Sequence, residues 1–456
     1  MGFLHNFEGI LTNLPEVEKP KYALTFNDKL KWTALMLVTY FILSETALYG
    51  LNPTTIDLFA NLRAVLAGSF GSIITLGIGP IVTGSIILQI LVGGKLIDLD
   101  LSDPHDQAIF QGTQKALAIL FTIFEAVVMV LMGALAPDPA LAAVHGQLMM
   151  IMLLVVQLTV GGILILFMDE VVSKWGFGSG IGLFIVAGVS SSITIGAFNP
   201  FPAAVGATEP AGLIPKFIYM VSKGRGDITT LIPIAGTLIV FAIVVYFETM
   251  RVEIPLTYGR FRGARGRYPL KFIYASNIPV IFASILMANV QLWATLLDKI
   301  NYPLLGTFVA GRPINGLAFY MRRPQPIGQA EFSIVHALIY TVILLILSAM
   351  FSKFWVETAS MDSKTVAKQL QDGGMHIPGF RGDIRIIEKV LNKYIPPLTI
   401  VGGLVVGLLA AFADILGALG GGMGVLLTVG IVYQMYEQMA KDQLMEIHPM
   451  LKGILG

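Results

Sequence analysis

Three polar side chains sit inside long apolar runs and are the first candidates for chemistry. Glu125 lies mid-run in Gln114–Leu135, Thr83 in Gly71–Ile97 and Asn289 in Ile273–Leu297. A carboxylate in such surroundings is costly and usually faces a bundle interior or a water-filled cavity. Three roles fit it: a polar latch between helices, a purely structural interhelical hydrogen bond, or a proton or ion relay. Catalytic signatures are missing. No His-Glu-x-x-His, no Gly-x4-Gly-Lys-Ser/Thr and no Gly-x-Ser-x-Gly occurs. The 6 histidines are scattered and suggest no metal cluster, and the absence of cysteine excludes disulfides and thiolate chemistry. Gly176–Gly182 is glycine-rich without the Gly-x-Gly-x-x-Gly spacing, and close helix packing explains it better.

The elements that must position these groups are membrane helices. Of 456 residues, 55% are hydrophobic and only 13% charged, with mean hydropathy +0.76. Soluble domains carry about a quarter charged residues. Ten runs approach the ~20 apolar residues that a helix needs to cross the hydrocarbon: Trp32–Tyr49, Gly71–Ile97, Gln114–Leu135, Leu148–Met168, Gly178–Phe198, Thr230–Phe247, Ile273–Leu297, Phe332–Phe354, Pro397–Leu416 and Gly420–Met439. They are too long for barrel strands. With ten spans both termini share a side. Nearly three quarters of the 30 Lys and Arg residues then fall on that side, which marks it as the cytosol. Before the first span, Phe3, Phe7, Ile10, Leu11 and Leu14 share a helical face that Pro15 ends. The pattern reads as an interfacial helix, with a disordered leader as the alternative.

Other features suggest broken helices. Thr55–Phe70 contains Asp57, Asn61 and Arg63 and is too polar to face lipid. It is either a re-entrant segment in a central cavity or an external loop. Gly79-Pro80 and Ser276-Asn-Ile-Pro279 each sit near the start of the second span of a five-span set, where a kink is expected. Their spacing hints at two halves, inverted in the membrane because each has an odd number of spans. The inner loops Arg251–Lys271 and Glu357–Lys393 are basic. They serve as topology signals or bind phosphate backbones.

At the level of motifs the chain resembles the SecY family. The resemblance rests on Leu76-Gly-Ile-Gly-Pro-Ile-Val-Thr83, Trp175-Gly-Phe-Gly-Ser-Gly-Ile-Gly182, Ser276-Asn-Ile-Pro279, Pro378-Gly-Phe-Arg381 and Val432-Tyr-Gln-Met-Tyr-Glu437. It runs nearly the full chain, and the Ser-Asn-Ile-Pro and Tyr-Glu forms look more archaeal, or like the eukaryotic endoplasmic-reticulum homologue, than bacterial.

The resemblance implies an all-α protein of ten transmembrane helices, in two inverted five-helix halves around a central pore with a re-entrant plug. The chain then divides into a cytosolic interfacial helix (1–30), a first half (31–198, plug at 55–70), a second half (230–440) and a cytosolic tail (441–456). It implies a pore ring of Ile78, Val82, Ile181, Ile185, Ile281 and Leu427, with Leu426 as the alternative at the last place. The plug would use Ala60, Leu62, Arg63, Val65 and Leu66, and the lateral gate Thr83, Glu125 and Asn289. Ribosome docking falls to Arg260, Arg262, Arg265, Arg267 and Arg381. Implied partners are SecE-type and small beta-type membrane subunits, the ribosome, signal sequences and nascent chains, the bilayer and, indirectly, the signal recognition particle receptor. The function implied is passive conduction of polypeptides across the membrane and sideways into lipid, with no enzyme activity, cofactor or metal. A secondary transporter would instead need a polar midplane site.

Overall fold

The computed structural model describes residues 8–447 except 12, 23, 54, 56–65, 95, 98, 100–102, 203–208, 225, 259–264, 276, 301, 310–311, 328, 330, 373–374 and 377–382. Among the described residues, helices occupy all ten expected spans. They are α1 (Phe26–Glu45), α2 (Gly79–Gly93), α3 (Pro104–Leu131), α4 (Gln147–Trp175), α5 (Gly180–Phe198), α6 (Ile232–Thr249), α7 (Ile278–Lys299), α8 (Ile334–Thr358), α9 (Ile384–Ile415) and α10 (Gly422–Ile447). Seven of them, α3 to α9, are long and apolar enough to cross a membrane unaided. Their lipid faces are legible in exposed apolar rows at helical spacing, such as Leu35, Val38 and Ile42 on α1 and Leu338, Val342 and Ile346 on α8.

The second span departs from expectation. It begins not as a helix at Gly71 but as a chain of turns through Ile78. The helix that follows has 15 residues, about 22 Å of rise, short of the ~30 Å hydrocarbon. The non-helical stretch is tolerated because it is buried in protein rather than lipid: Ile74, Thr75, Leu76 and Ile78 are all buried. Pro80 therefore does not kink a helix; it starts one, where its missing N–H costs nothing. Pro279 does the same for α7. The two helix starts match closely. Ile78 (φ −86°, ψ −3°) and Asn277 (φ −92°, ψ −2°) both precede their helices in αR geometry without a side-chain cap. This correspondence is the local trace of the two halves.

The ninth span also differs. α9 runs unbroken through Pro396 and Pro397 and begins at Ile384, not Pro397. Its N-terminal turns bury Ile387, Leu391 and Ile395, one face at four-residue spacing. They pack with Val366, Leu370, Ile254 and Leu270 in a separate apolar cluster, and that tertiary burial carries the helix past the prolines.

The inner loops are more ordered than a pair of topology signals. Strands β1 (Arg251–Tyr258) and β2 (Arg265–Lys271) form an antiparallel hairpin, paired from Arg251↔Lys271 to Thr257↔Arg265. β3 (Met375–His376) from the other loop adds to β1, giving the order β2-β1-β3. Both basic loops thus belong to one sheet, which the all-helical reading did not contain.

In the N-terminal segment the described helix is Glu8–Leu11. Its Leu11 is buried, and the Leu11 carbonyl lies where a Cβ on Gly112 of α3 would be. Phe3 and Phe7 lie outside the described residues. The chain then runs as a strap across the ends of α3 and α4. Lys115 bonds both the Pro15 carbonyl and Glu170. The Val17 amide donates to Glu170 at 2.9 Å, Lys174 pairs with Glu16 at 3.0 Å, and Trp175 Nε1 donates to the Glu18 carbonyl at 2.9 Å.

Candidate functional site

A cavity of about 630 Å³ lies between the halves. Its walls come from α2, α3, α5, α7, α8 and α10. Its lining includes Val82, Ile181, Ile185 and Ile281 together with the polar Gln89, Gln114, Gln434, Gln438 and Lys441. Four of the six expected ring residues, from three helices, therefore meet around one space. The other two do not line it. Ile78, one turn before Val82 on α2, and Leu427 are fully buried, as is Leu426. All six belong to or pack against a single apolar cluster. A narrow passage walled only by aliphatic side chains disfavours hydrated ions and offers no group to hold a passing chain.

The backbone at Ile78, an expected ring residue, is joined to the end of the expected plug segment. Of the expected plug residues, Ala60, Leu62, Arg63 and Val65 lie outside the described residues, and Leu66 lies inside them. The Leu66 carbonyl accepts a 2.8 Å hydrogen bond from the Ile78 amide. The next carbonyl, Ala67, accepts from Tyr40 Oη at 3.1 Å. Gly77 makes this approach possible, because its φ is +58° and a Cβ there would stand 2.0 Å from the Leu66 carbonyl oxygen.

Thr83, Glu125 and Asn289 are brought together, and Thr83 is the bridge between the other two. Its hydroxyl accepts from Asn289 Nδ2 at 2.9 Å and lies 3.1 Å from Glu125 Oε1 and 2.8 Å from the Gly79 carbonyl. A hydroxyl has one proton, so Thr83 donates to one of these two acceptors at a time. The three residues line a void of about 30 Å³ with Leu66, Met129 and Leu292, room for about one water. The triad joins α2 and α3 of the first half to α7 of the second.

Several supporting residues were not foreseen. Asp169 on α4 accepts the Ile181 amide at 2.9 Å, which fixes the start of α5 and hence two ring residues. Its Cα lies 2.5 Å from where a Cβ on Gly180 would be, so the glycine run does serve close packing. Asp414, 1% exposed, pairs with Arg323 Nε at 2.9 Å and accepts from Tyr340 Oη and the Gly422 amide, each at 2.8 Å. It holds the turn between α9 and α10. Glu248 and Asn277 are also buried and bonded, at 3.1 Å. A sequence signal existed for these acids: charges within apolar runs seldom lack a partner.

The expected docking residues are only partly described. Arg265 and Arg267 lie on β2, while Arg260, Arg262 and Arg381 lie outside the described residues. Among the described residues no cluster of three or more His, Asp or Glu could hold a metal ion.

Comparison with known proteins bears on this architecture. Residues 72–436 match the SecY family model, and residues 38–71 match the plug domain of Sec61p. The protein translocase subunit SecY of Methanothermobacter thermautotrophicus is 51% identical over 456 residues, covering 99% of this chain and 98% of its own. The corresponding subunit of Methanocaldococcus jannaschii is 45% identical, covering 98% of each. Among solved structures, a protein conducting channel superposes with a TM-score of 0.86 at 45% identity, covering 96% of this chain and 98% of the other. Canine Sec61 in the ribosome-channel complex from the endoplasmic reticulum gives 0.83 at 43% identity, with the same coverage. The motifs, the ten helices and these likenesses agree: the chain belongs to the SecY family.

Proposed function

We propose that the chain is the pore subunit of a protein-conducting channel, with Ile78, Val82, Ile181, Ile185, Ile281 and Leu427 as its waist. The observation that carries this reading is one cavity that Val82, Ile181, Ile185 and Ile281, contributed by helices of both halves, all line. Polypeptide passes along this axis, and α2 and α3 part from α7 and α8 to release apolar segments into lipid. The segment at 55–70 acts as the plug, and the Thr83 bridge holds the gate. The chain has no energy source of its own in this scheme, so a bound partner drives movement.

The finer assignments follow the same reading. Both termini face the cytosol of the cell membrane, as the Lys and Arg distribution favours. The sheet that joins the two basic loops is the ribosome platform, carrying Arg260, Arg262, Arg265, Arg267 and Arg381; the canine relative was solved in a ribosome-channel complex. SecE-type and small beta-type subunits cover parts of the exposed apolar helix faces.

The test is conductance of reconstituted channels. The Ile78→Asn/Ile281→Asn double variant should raise resting ion leak several-fold, because polar side chains let water wet the constriction. Unchanged leak would remove these residues from the waist.

A further inference from the structure

We propose that Glu437 is a positioning residue that couples the cytosolic hairpin to the pore constriction. The proposal rests on reading the hairpin as a docking platform. The motif Val432-Tyr-Gln-Met-Tyr-Glu437 has no part in the waist, plug or gate, yet its last residue makes the contact between the hairpin and α10. Arg251 opens β1 and Lys271 closes β2, and the two are cross-strand partners. Both reach the same carboxylate: Arg251 Nη2 lies 2.5 Å from Glu437 Oε1, and Lys271 Nζ lies 2.7 Å from Oε2. Tyr433, one turn earlier on α10, presents its ring to both cations, at 5.9 Å and 5.7 Å from its centroid. Two cations converging on one acid draw the two strands together at the foot of the hairpin and fasten that foot to the helix.

A second fastening lies about three turns nearer the start of α10. Glu248 is three residues before Arg251, and Asn277 is six after Lys271. Asn277 Nδ2 donates to Glu248 Oε1 at 3.1 Å and to the Leu426 carbonyl at 3.4 Å. Gly430 admits this pair, since a Cβ there would lie 1.6 Å from Asn277 Nδ2. The hairpin is therefore tied to α10 at two levels about 16 Å apart along the helix: both legs through Glu437, and further in through Asn277, which also holds Glu248 of the other leg. The inner tie touches the ring at two points. Leu426 adjoins Leu427, and Asn277 lies one turn before Ile281. A load on the sheet reaches both ring helices through α10, and Glu437 is where it enters. The side chains of Arg251 and Lys271 are 24% and 32% exposed, so removing the Glu437 charge loosens the coupling without leaving a deeply buried cation.

The test uses the full channel complex in lipid nanodiscs, with spin labels at Thr257 on β1 and Met439 on α10. Glu437→Lys should broaden the distance distribution, and Arg251→Glu/Lys271→Glu/Glu437→Lys, which reverses the pair, should narrow it again. In parallel, Leu427→Cys is probed with a thiol reagent with and without ribosomes, alongside co-sedimentation. Glu437→Lys should bind ribosomes like the parent but lose the ribosome-induced change in labelling, and the triple reversal should restore it. The proposal is overturned if Glu437→Lys keeps that change, if it loses ribosome binding, or if the reversal rescues neither signal. Failure of the docking reading looks different. In that case Arg262→Glu/Arg265→Glu still binds ribosomes, and the spin-label distances alone decide whether Glu437 fastens the hairpin.

Discussion

The amide of Ile78 donates a 2.8 Å hydrogen bond to the carbonyl of Leu66, which ties the first residue of the proposed waist to the end of the plug segment. Ile78 is also the last residue before α2. One main-chain bond therefore links the plug segment to the start of a helix proposed to carry both the waist and the gate. On the proposed reading, displacing the plug segment should break that bond and free the start of α2.

Gly77→Ala tests this arrangement. The new Cβ would stand 2.0 Å from the Leu66 carbonyl oxygen at a φ of +58°, so the end of the plug segment must move. Resting leak should rise several-fold. Gly224→Ala is the control for backbone strain alone: φ there is +71° and nothing lies within 4 Å. It should cost about 1 kcal/mol of stability and leave conductance unchanged.

The gate prediction centres on Thr83 rather than Glu125. Thr83→Val keeps the shape and removes the hydroxyl that joins Asn289 to the α2–α3 pair. Interhelical hydrogen bonds in lipid average about 0.6 kcal/mol, so losing one or two should shift a two-state gate roughly threefold to tenfold toward opening. The chain has no cysteine, so one cysteine placed in α2 and one in α7 report closure without background. Equal crosslinking in Thr83→Val and the parent would leave the triad a structural contact only.

Much of this was legible beforehand, for identifiable reasons. Spans are set by composition, and Glu125, Thr83 and Asn289 stand out because polar groups are rare there. Periodicity could not show where α2 begins, since Gly71–Ile78 is as apolar as a helix and its turns depend on Gly71, Gly77 and burial. Nor could it show that α9 passes Pro396 and Pro397, because the burial of Ile387 and Leu391 against a sheet is a tertiary fact. The sheet itself was hidden by distance, with β3 joining β1 from more than a hundred residues away. Thr83 could be named as a member of the triad, but its place at the centre follows from the packing of three helices.

Asp414→Asn tests the unforeseen buried acid. Arg323, 17% exposed in its side chain, would lose its partner. Breaking a buried pair costs about 3 kcal/mol or more, partly offset here because the arginine can reach water. The melting temperature in detergent should fall clearly, and Tyr340→Phe, which removes one of the bonds to Asp414, should cost less. A similar loss for both would mean the ion pair contributes little.

The N-terminal strap should respond to acid. Lys174 holds the Glu16 carboxyl below the ordinary glutamate range, by a hydrogen bond and by its charge. A depressed acid stabilises the bound state above its unfolded pKa and loses that contribution as the pH falls through the folded value. Backbone exchange at residues 13–22 should stay slow from neutral pH down past the usual glutamate midpoint and quicken only below it. Glu16→Gln should remove that acid step, and a step that persists would assign it to another group.

On the gate reading proposed above, the Thr83 bridge also sets the scale on which cargo would be compared. A bond of about 0.6 kcal/mol is close to the ~0.8 kcal/mol gained by moving one methylene out of water. A segment pressing against α2 and α7 is thus weighed against a latch about one carbon in size. Two candidate segments that differ by a single Val-to-Ile exchange should open this gate to measurably different extents, which makes the seam a balance graduated in methylene units.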